Sequence, residues 1–270
     1  MDDRGLWHSH RPVTDPGRTR FDALGVLTDM KTHKIIILAS ALLPFGLAQG
    51  APSSNVAWTV ETHSLVRKGD ASIGAKIETV ETEDVNACTD CHGKGGAEPD
   101  RDKHPTLAGQ VAAYTFKQLR DYKDGTRENR RMNEAVERLT NEQLAALAAW
   151  YAQQPVPTVE VDADETVSEE TLRLVFRGDK KRLIQPCASC HGRNGQGAII
   201  DVPAIAGQNV KYFVETMKDY AGEKRTNDIY SRMRIIAKAL SRDEINELAV
   251  YYARLGNEQS DGSNQQAAAQ

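Results

Sequence analysis

Apolar residues recur along this chain at spacings of three and four. Val210, Phe213, Met217 and Tyr220 fall on one stripe, Ile245, Leu248 and Tyr252 on another, and Leu144, Leu147 and Tyr151 repeat the second about a hundred residues earlier. That period belongs to α-helices with one buried face. Ser241-Arg-Asp-Glu244 and Thr140-Asn-Glu-Gln143 precede two of the stripes in the order of a capping box, where the N-cap hydroxyl and the N3 side chain satisfy each other's backbone N–H. No sustained alternation with period two occurs, so the expected fold class is all-α.

The stripes belong to an internal repeat. Leu65-Val-Arg-Lys-Gly-Asp70 resembles Leu174-Val-Phe-Arg-Gly-Asp179, Cys88-Thr-Asp-Cys-His-Gly93 resembles Cys187-Ala-Ser-Cys-His-Gly192, and His104-Pro-Thr-Leu-Ala-Gly-Gln110 resembles Val202-Pro-Ala-Ile-Ala-Gly-Gln208. Leu119-Arg-Asp-Tyr122 then pairs with Met217-Lys-Asp-Tyr220, and Arg131-Met132 with Arg232-Met233. The offset runs from 109 to 99, 98 and 101, which places ten extra residues before Cys88 and three before Met233. A unit of about a hundred residues is the size of a domain rather than a solenoid turn. The expected organisation is a first domain over 51–157 and a second over 158–256, joined through the Pro-containing stretch 153–160. The Gln-, Ser-, Asn- and Ala-rich residues 257–270 are expected to be disordered.

The N-terminal region has a different character. Lys31-Thr-His-Lys34 is followed by thirteen mostly apolar residues, Ile35 to Leu47, and then by Ala48 and Gly50 at the small-residue positions of a cleavage site. As a helix those thirteen residues span ~20 Å, short of the ~30 Å of a bilayer core. A signal peptide over 30–50 is expected, starting at Met30, with 1–29 an upstream extension lacking apolar periodicity. The chain would then be exported to the periplasm as a soluble protein beginning near Ala51, with at most peripheral membrane association.

Composition narrows the possibilities. In 270 residues there are 34 Lys+Arg against 38 Asp+Glu, a net charge of −4, so no basic excess points to nucleic acid. Residues 51–160 hold 13 basic and 17 acidic side chains and residues 161–270 hold 15 and 16, so the first half presents the more acidic face for docking to a basic partner. Four cysteines are too few for a disulfide-built scaffold.

All four cysteines lie in the two C-x-x-C-H motifs, the signature of c-type haem attachment. Two thiols three positions apart on one helical turn can each add to a vinyl group of one haem, and the next histidine presents its imidazole to the iron. Cys88, Cys91, Cys187 and Cys190 are therefore the expected thioether residues of two covalent haem c groups, and His92 and His191 the proximal iron ligands. A zinc ribbon would need its C-x-x-C pairs ~15–20 residues apart, and a thioredoxin-like pair would need a βαβ setting. Methionine is the sixth ligand suited to electron transfer. Met132 and Met233 occupy equivalent repeat positions in polar segments expected to be loops, one per haem, and are the expected ligands; Met217 lies on an apolar stripe as core. His104 has no counterpart in the second unit, where Val202 stands, and is expected at the surface; His63, N-terminal of the repeat core, is expected to be structural or exposed.

Together, these motifs resemble class I cytochrome c domains. Their tandem arrangement after a signal peptide resembles the dihaem cytochrome c4 family, over roughly residues 62–256. The resemblance implies two class I cytochrome c folds, each around one haem with His and Met ligands. It also implies that Pro105 and Pro203 accept the proximal imidazole N–H through their carbonyls. The implied function is electron carriage between a quinol-oxidising complex and a terminal oxidase or reductase, without catalysis. The alternatives are a dihaem enzyme of peroxidase or thiosulfate-oxidising type, or a cytochrome subunit of a membrane dehydrogenase or oxidase complex. Ala87, Leu107, Ala108, Ile199, Ile200 and Ile205 are expected to line the haem edges.

Overall fold

The structure, a computed structural model, describes residue 54 and residues 56–268 apart from 84, 163 and 199, with side chains as far as 256. The expected extension over 1–29, the signal segment over 30–50, the chain start near Ala51 and the haem-edge residue Ile199 lie outside the described residues. Among the described residues no helix is long and apolar enough to cross a membrane.

Regular structure is helical. The first half holds α1 (Val60–Arg67), α2 (Ala71–Ile77), α3 (Cys88–His92), α4 (Ala112–Lys123), α5 (Arg130–Val136) and α6 (Asn141–Ala152). The second holds α7 (Glu169–Arg177), α8 (Cys187–His191), α9 (Val210–Ala221), α10 (Arg232–Ala239) and α11 (Arg242–Ala268). Two isolated bridges, Asp179–Ile184 and Ala198–Val202, are the β pairing present among the described residues. Both capping boxes form. Thr140 Oγ1 accepts from Gln143 N–H while Gln143 Oε1 accepts from Thr140 N–H, and Ser241 and Glu244 do the same at the start of α11.

Each half packs its long helices around one core. Val66, Phe116, Tyr122, Val136 and Leu144 meet in the first; Val214, Met217, Tyr220, Ala237 and Ile245 meet in the second, continued by Val175, Leu248 and Tyr252. Met217 is thus core, as its stripe predicts.

The two length differences between the repeats have separate structural meanings. The ten extra residues before Cys88 include α2, which lies directly on α6. The approach is so close that a β-carbon at Gly74 would sit 2.2 Å from the Ala146 carbonyl oxygen. The three extra residues before Met233 form one 3-10 turn, Ile229–Ser231, with Tyr230 and Ser231 at φ of 58° and 55°. The tail departs from expectation: the backbone of α11 continues as helix through Ala268 instead of ending near Gly256.

The halves meet through polar groups as well as apolar ones. The buried Lys117 ammonium bonds Asp121 Oδ2 and the Asn227 carbonyl of the second half, each at 2.6 Å. Asn227 Nδ2 returns a bond to the same Asp121 oxygen at 2.6 Å. The connection between the halves is pinned too. Val156 lies against both Gly109 and Gly207, the equivalent glycines of the two repeats.

Candidate haem-binding site

Each C-x-x-C-H motif occupies a single helical turn, α3 or α8, with its histidine at the last helical position. The glycine that follows leaves the helix in a conformation open only to glycine, φ 72° and ψ 170° at Gly93, φ 83° and ψ 156° at Gly192. The chain can therefore turn sharply behind the histidine and bring the Pro-x-x-Ala-Gly-Gln segment under it. His92 Nδ1 lies 3.0 Å from the Pro105 carbonyl oxygen and His191 Nδ1 lies 2.9 Å from that of Pro203. The proline carbonyl can only accept, so Nδ1 carries the proton and Nε2 is left with a free lone pair. Both imidazoles are buried, and burial holds their pKa below the usual histidine range despite the opposing pull of the proline carbonyls. A neutral ring with Nε2 unprotonated is the form that binds a metal.

The four sulfurs are half-buried and unpaired with one another. Burial pushes the Cys88 thiol up and the Cys187 thiol to about 11. A setting that disfavours thiolate suits a neutral thioether. Cys91 also comes near Asp100 and His104, the ligand atoms of the three lying within 4.8 Å of one another. A sulfur already in a thioether has no thiolate to give a cation there.

One continuous cavity of about 1670 Å³ is lined by both motifs, by Met132 and by Met233. It exceeds the ~300–1,000 Å³ of a pocket for one ordinary ligand. Met132 and Met233 lie on the first turns of α5 and α10 rather than in loops. The polar residues around Met132 are helix-start chemistry: Asn129 caps α5 by accepting from Met132 N–H. Of the apolar residues expected at the haem edge, Ala87, Leu107 and Ile205 line the cavity, whereas Ala108 and Ile200 are not in its wall. His104 is not a free surface residue. Its Nδ1 lies 2.5 Å from Asp100 Oδ1 and its ring centroid 6.1 Å from that of His92. His63 is exposed, its ring tilted against that of Trp58 at a centroid distance of 5.1 Å.

Two guanidiniums face the cavity between the halves, Arg225 buried and Arg127 half-buried, and sequence reasoning missed both. Arg127 bonds Gln118 Oε1 at 2.9 Å and the Tyr212 hydroxyl at 3.1 Å. Arg225 bonds Gln118 Oε1 and the Tyr114 hydroxyl, each at 2.9 Å. Each also lies over a tyrosine of its own half, Tyr122 or Tyr220. Among the described residues neither pairs with a carboxylate. Burial opposes ionisation of the Tyr212 phenol, but the two guanidiniums outweigh it and pull that group down to about 7. Cations withdrawn from water without anions are costly, and the chemistry that would relieve them is a carboxylate delivered from the cavity. The hydroxyls of Tyr151 and Tyr252, equivalent residues of α6 and α11, are likewise buried in its wall, beside Cys88 and Cys187, and form no hydrogen bond of ordinary length among the described residues. The signal for the arginines was available in the sequence: Arg127 and Arg225, like Tyr114 and Tyr212, stand 98 residues apart, the local repeat offset.

Comparison with known proteins agrees with this geometry. The cytochrome c family model matches residues 82–154. Cytochrome c4 of Pseudomonas aeruginosa is 33% identical over 186 residues, covering 68% of this chain and 87% of that protein. A thiosulfate dehydrogenase electron acceptor of Stutzerimonas stutzeri is 33% identical over 175 residues, covering 64% and 81%. The crystal structure of reduced cytochrome c4 from Pseudomonas stutzeri superposes with a TM-score of 0.61 at 28% identity, covering 68% of this chain and 98% of that one.

Proposed function

Because the chain belongs to the dihaem cytochrome c4 family, an electron-transfer protein with covalently bound haem c rather than an enzyme, we propose that it shuttles electrons in the periplasm between a quinol-oxidising complex and a terminal oxidase or reductase. The observation that carries this reading is the duplication, in one cavity, of C-x-x-C-H, a buried neutral histidine and a methionine. Cys88 and Cys91 hold one haem and Cys187 and Cys190 the other; His92 with Met132, and His191 with Met233, ligate the irons. The two haem domains are assigned to 51–157 and 158–256.

When bound, each haem supplies a one-electron couple between ferric and ferrous iron. The chain's part is to hold that couple still. The Pro105 and Pro203 carbonyls fix the tautomer and orientation of the proximal imidazoles, which raises their basicity as ligands. Arg127 and Arg225 supply charge complementary to haem carboxylates, and the apolar wall around Leu107 and Ile205 keeps water from the ligands. A thioether sixth ligand raises the potential into a range suited to electron carriage.

The test is a redox titration of the mature dihaem protein followed by optical spectra. Two low-spin couples are expected, with the oxidised methionine–iron charge-transfer band at two-haem intensity. Met233→Ala should remove half of that band and lower one potential while leaving both haems covalently attached; unchanged spectra and potentials would refute the ligand assignment. The relative from S. stutzeri favours a second reading, in which the donor is a thiosulfate dehydrogenase. Reduction rates with that enzyme plus thiosulfate, compared with rates from a quinol-oxidising complex, decide between the donors.

A further inference from the structure

Gln110 and Gln208 occupy the same place in the repeat, one residue before the N-caps of α4 and α9. Each side-chain oxygen accepts the N–H of the next residue, Val111 or Asn209, at 2.9 Å. Each also crosses to the other half. Gln208 Oε1 accepts from Thr106 N–H at 2.9 Å, and its Nε2 donates to the Thr106 carbonyl at 3.1 Å. Gln110 Oε1 accepts from Ala204 N–H at 2.8 Å, and its Nε2 donates to the Ala204 carbonyl at 2.9 Å. These four contacts fix the amide orientations, since reversing either would set an NH₂ against two N–H donors.

The peptides reached in this way are the ones beneath the proximal histidines. Thr106 N–H and the Pro105 carbonyl belong to one peptide unit, and that carbonyl takes the His92 Nδ1 proton. Ala204 N–H and the Pro203 carbonyl likewise belong to one unit, and that carbonyl takes the His191 Nδ1 proton. We propose that Gln110 and Gln208 are reciprocal positioning residues, each setting from its own half the basicity of the proximal histidine in the other half.

The physical link is hydrogen-bond cooperativity. A peptide whose N–H donates to a good acceptor has a more negative carbonyl, by an amount that strengthens the next bond by roughly 10–30%. A stronger bond at Nδ1–H makes Nε2 a better donor and stabilises ferric over ferrous iron. Each glutamine therefore lowers the potential of the haem it does not belong to, and the two irons are tuned only while the halves are docked. Thr106 and Gln110 are buried, so water does not replace these bonds while the interface is closed. The inference rests on His92 and His191 being the proximal ligands.

The experiment is a potentiometric titration of the dihaem holoprotein with Gln208→Leu and Gln110→Leu, the waves being assigned with Met132→Ala and Met233→Ala. Gln208→Leu should raise the potential of the first-half haem and leave the other in place; Gln110→Leu should do the reverse. The expected shift is up to about tenfold in the ferric-to-ferrous ratio, ~59 mV for a one-electron couple. Gln208→Glu keeps an acceptor for Thr106 N–H and should hold the first potential at or below that of the parent. Hydrogen exchange at the His92 Nδ1–H, read by NMR, should quicken in Gln208→Leu alone. Equal movement of both haems would reduce the glutamines to docking contacts and overturn the proposal, as would movement confined to the variant's own half. Normal two-haem, low-spin spectra with unmoved potentials would overturn the relay alone. A parent protein lacking low-spin His–Met spectra would overturn the ligand assignment and the relay together.

Discussion

The same Gly-Asp pair ends the first helix of both halves, and the chain does different things with it. After α1, Gly69 lies against the Ala145 carbonyl and Asp70 caps the next helix, its Oδ1 accepting from Ser72 N–H at 2.9 Å. That next helix is α2, laid on α6 through Gly74 and Ala146. After α7, Gly178 turns at φ 68° and Asp179 closes a short bridge to Ile184. Asp179 holds Arg182 Nε at 2.8 Å, and Arg182 reaches α11 with two further bonds of 2.8 Å to the Glu244 carboxylate. Two equivalent haem sites are thus backed by different physics. The first relies on close backbone packing, the second on a charged network. A second asymmetry lies on the α4–α9 pair. Lys117 and Asp121 form a buried ion pair, whereas the equivalent Glu215 faces solvent and pairs with Lys218.

The largest effect is expected at that ion pair. Lys117→Met would leave Asp121 buried without its cation, and removing one partner of a buried pair costs about 3–5 kcal/mol. Thermal unfolding followed at the haem bands should show both halves weakened, because Lys117 also holds the Asn227 carbonyl of the second half. A loss confined to the first half would mean that the contact does not couple them. Next, Gly74→Val should cost about 3 kcal/mol in the first half only, since overpacking against a backbone carbonyl has no flexible neighbour to absorb it. If that variant melts like its parent, α2 is dispensable.

Arg182→Leu should cost the second half about 1–2 kcal/mol, a value reduced from that of a fully buried charged bond because the side chain is one-third exposed. The same network has a pH signature. Hydrogen bonds from Arg182 hold the Glu244 carboxyl below its ordinary 4.5. A depressed folded pKa means stability that is present above about 4.5 and is lost as pH falls below it. Acid unfolding should therefore release more of the second half's stability in parent protein than in Arg182→Leu, where only the Ser241 bonds still favour the Glu244 carboxylate, whereas the α2–α6 contact through Gly74 and Ala146 contains no titrating group. The smallest effects belong to what the halves share. Thr140→Ala and Ser241→Ala should each cost about 1 kcal/mol, and markedly unequal losses by calorimetry would show that the two capping boxes differ in weight.

Much of this protein was legible without coordinates. The helical class followed from the three-and-four spacing of Leu144, Leu147 and Tyr151 and of their second-half partners, because burial of one helix face imposes that period locally. The capping boxes are contacts within four residues, and the haem motifs are chemistry within five, so both are written in contiguous sequence. The placement of Met132 and Met233 on helices rather than loops was less legible. A single helical turn carries too few residues to show a period, and Asn129 reads equally well as loop or cap.

What the tertiary structure alone decided lies between segments far apart in the chain, across the repeat boundary and within a half. No local pattern says that Gln208 reaches the peptide under His92, that Arg127 and Arg225 share Gln118, or that the extra residues before Cys88 place α2 against α6. Those relations join residues from nine to more than a hundred positions apart. They depend on how one half docks on the other and how helices stack within a half, and docking geometry is set by the summed shape and polarity of two surfaces rather than by any one segment. Residue types within a turn or two of each other therefore determined the elements and the haem chemistry; packing over long separations determined how the two sites are braced and connected.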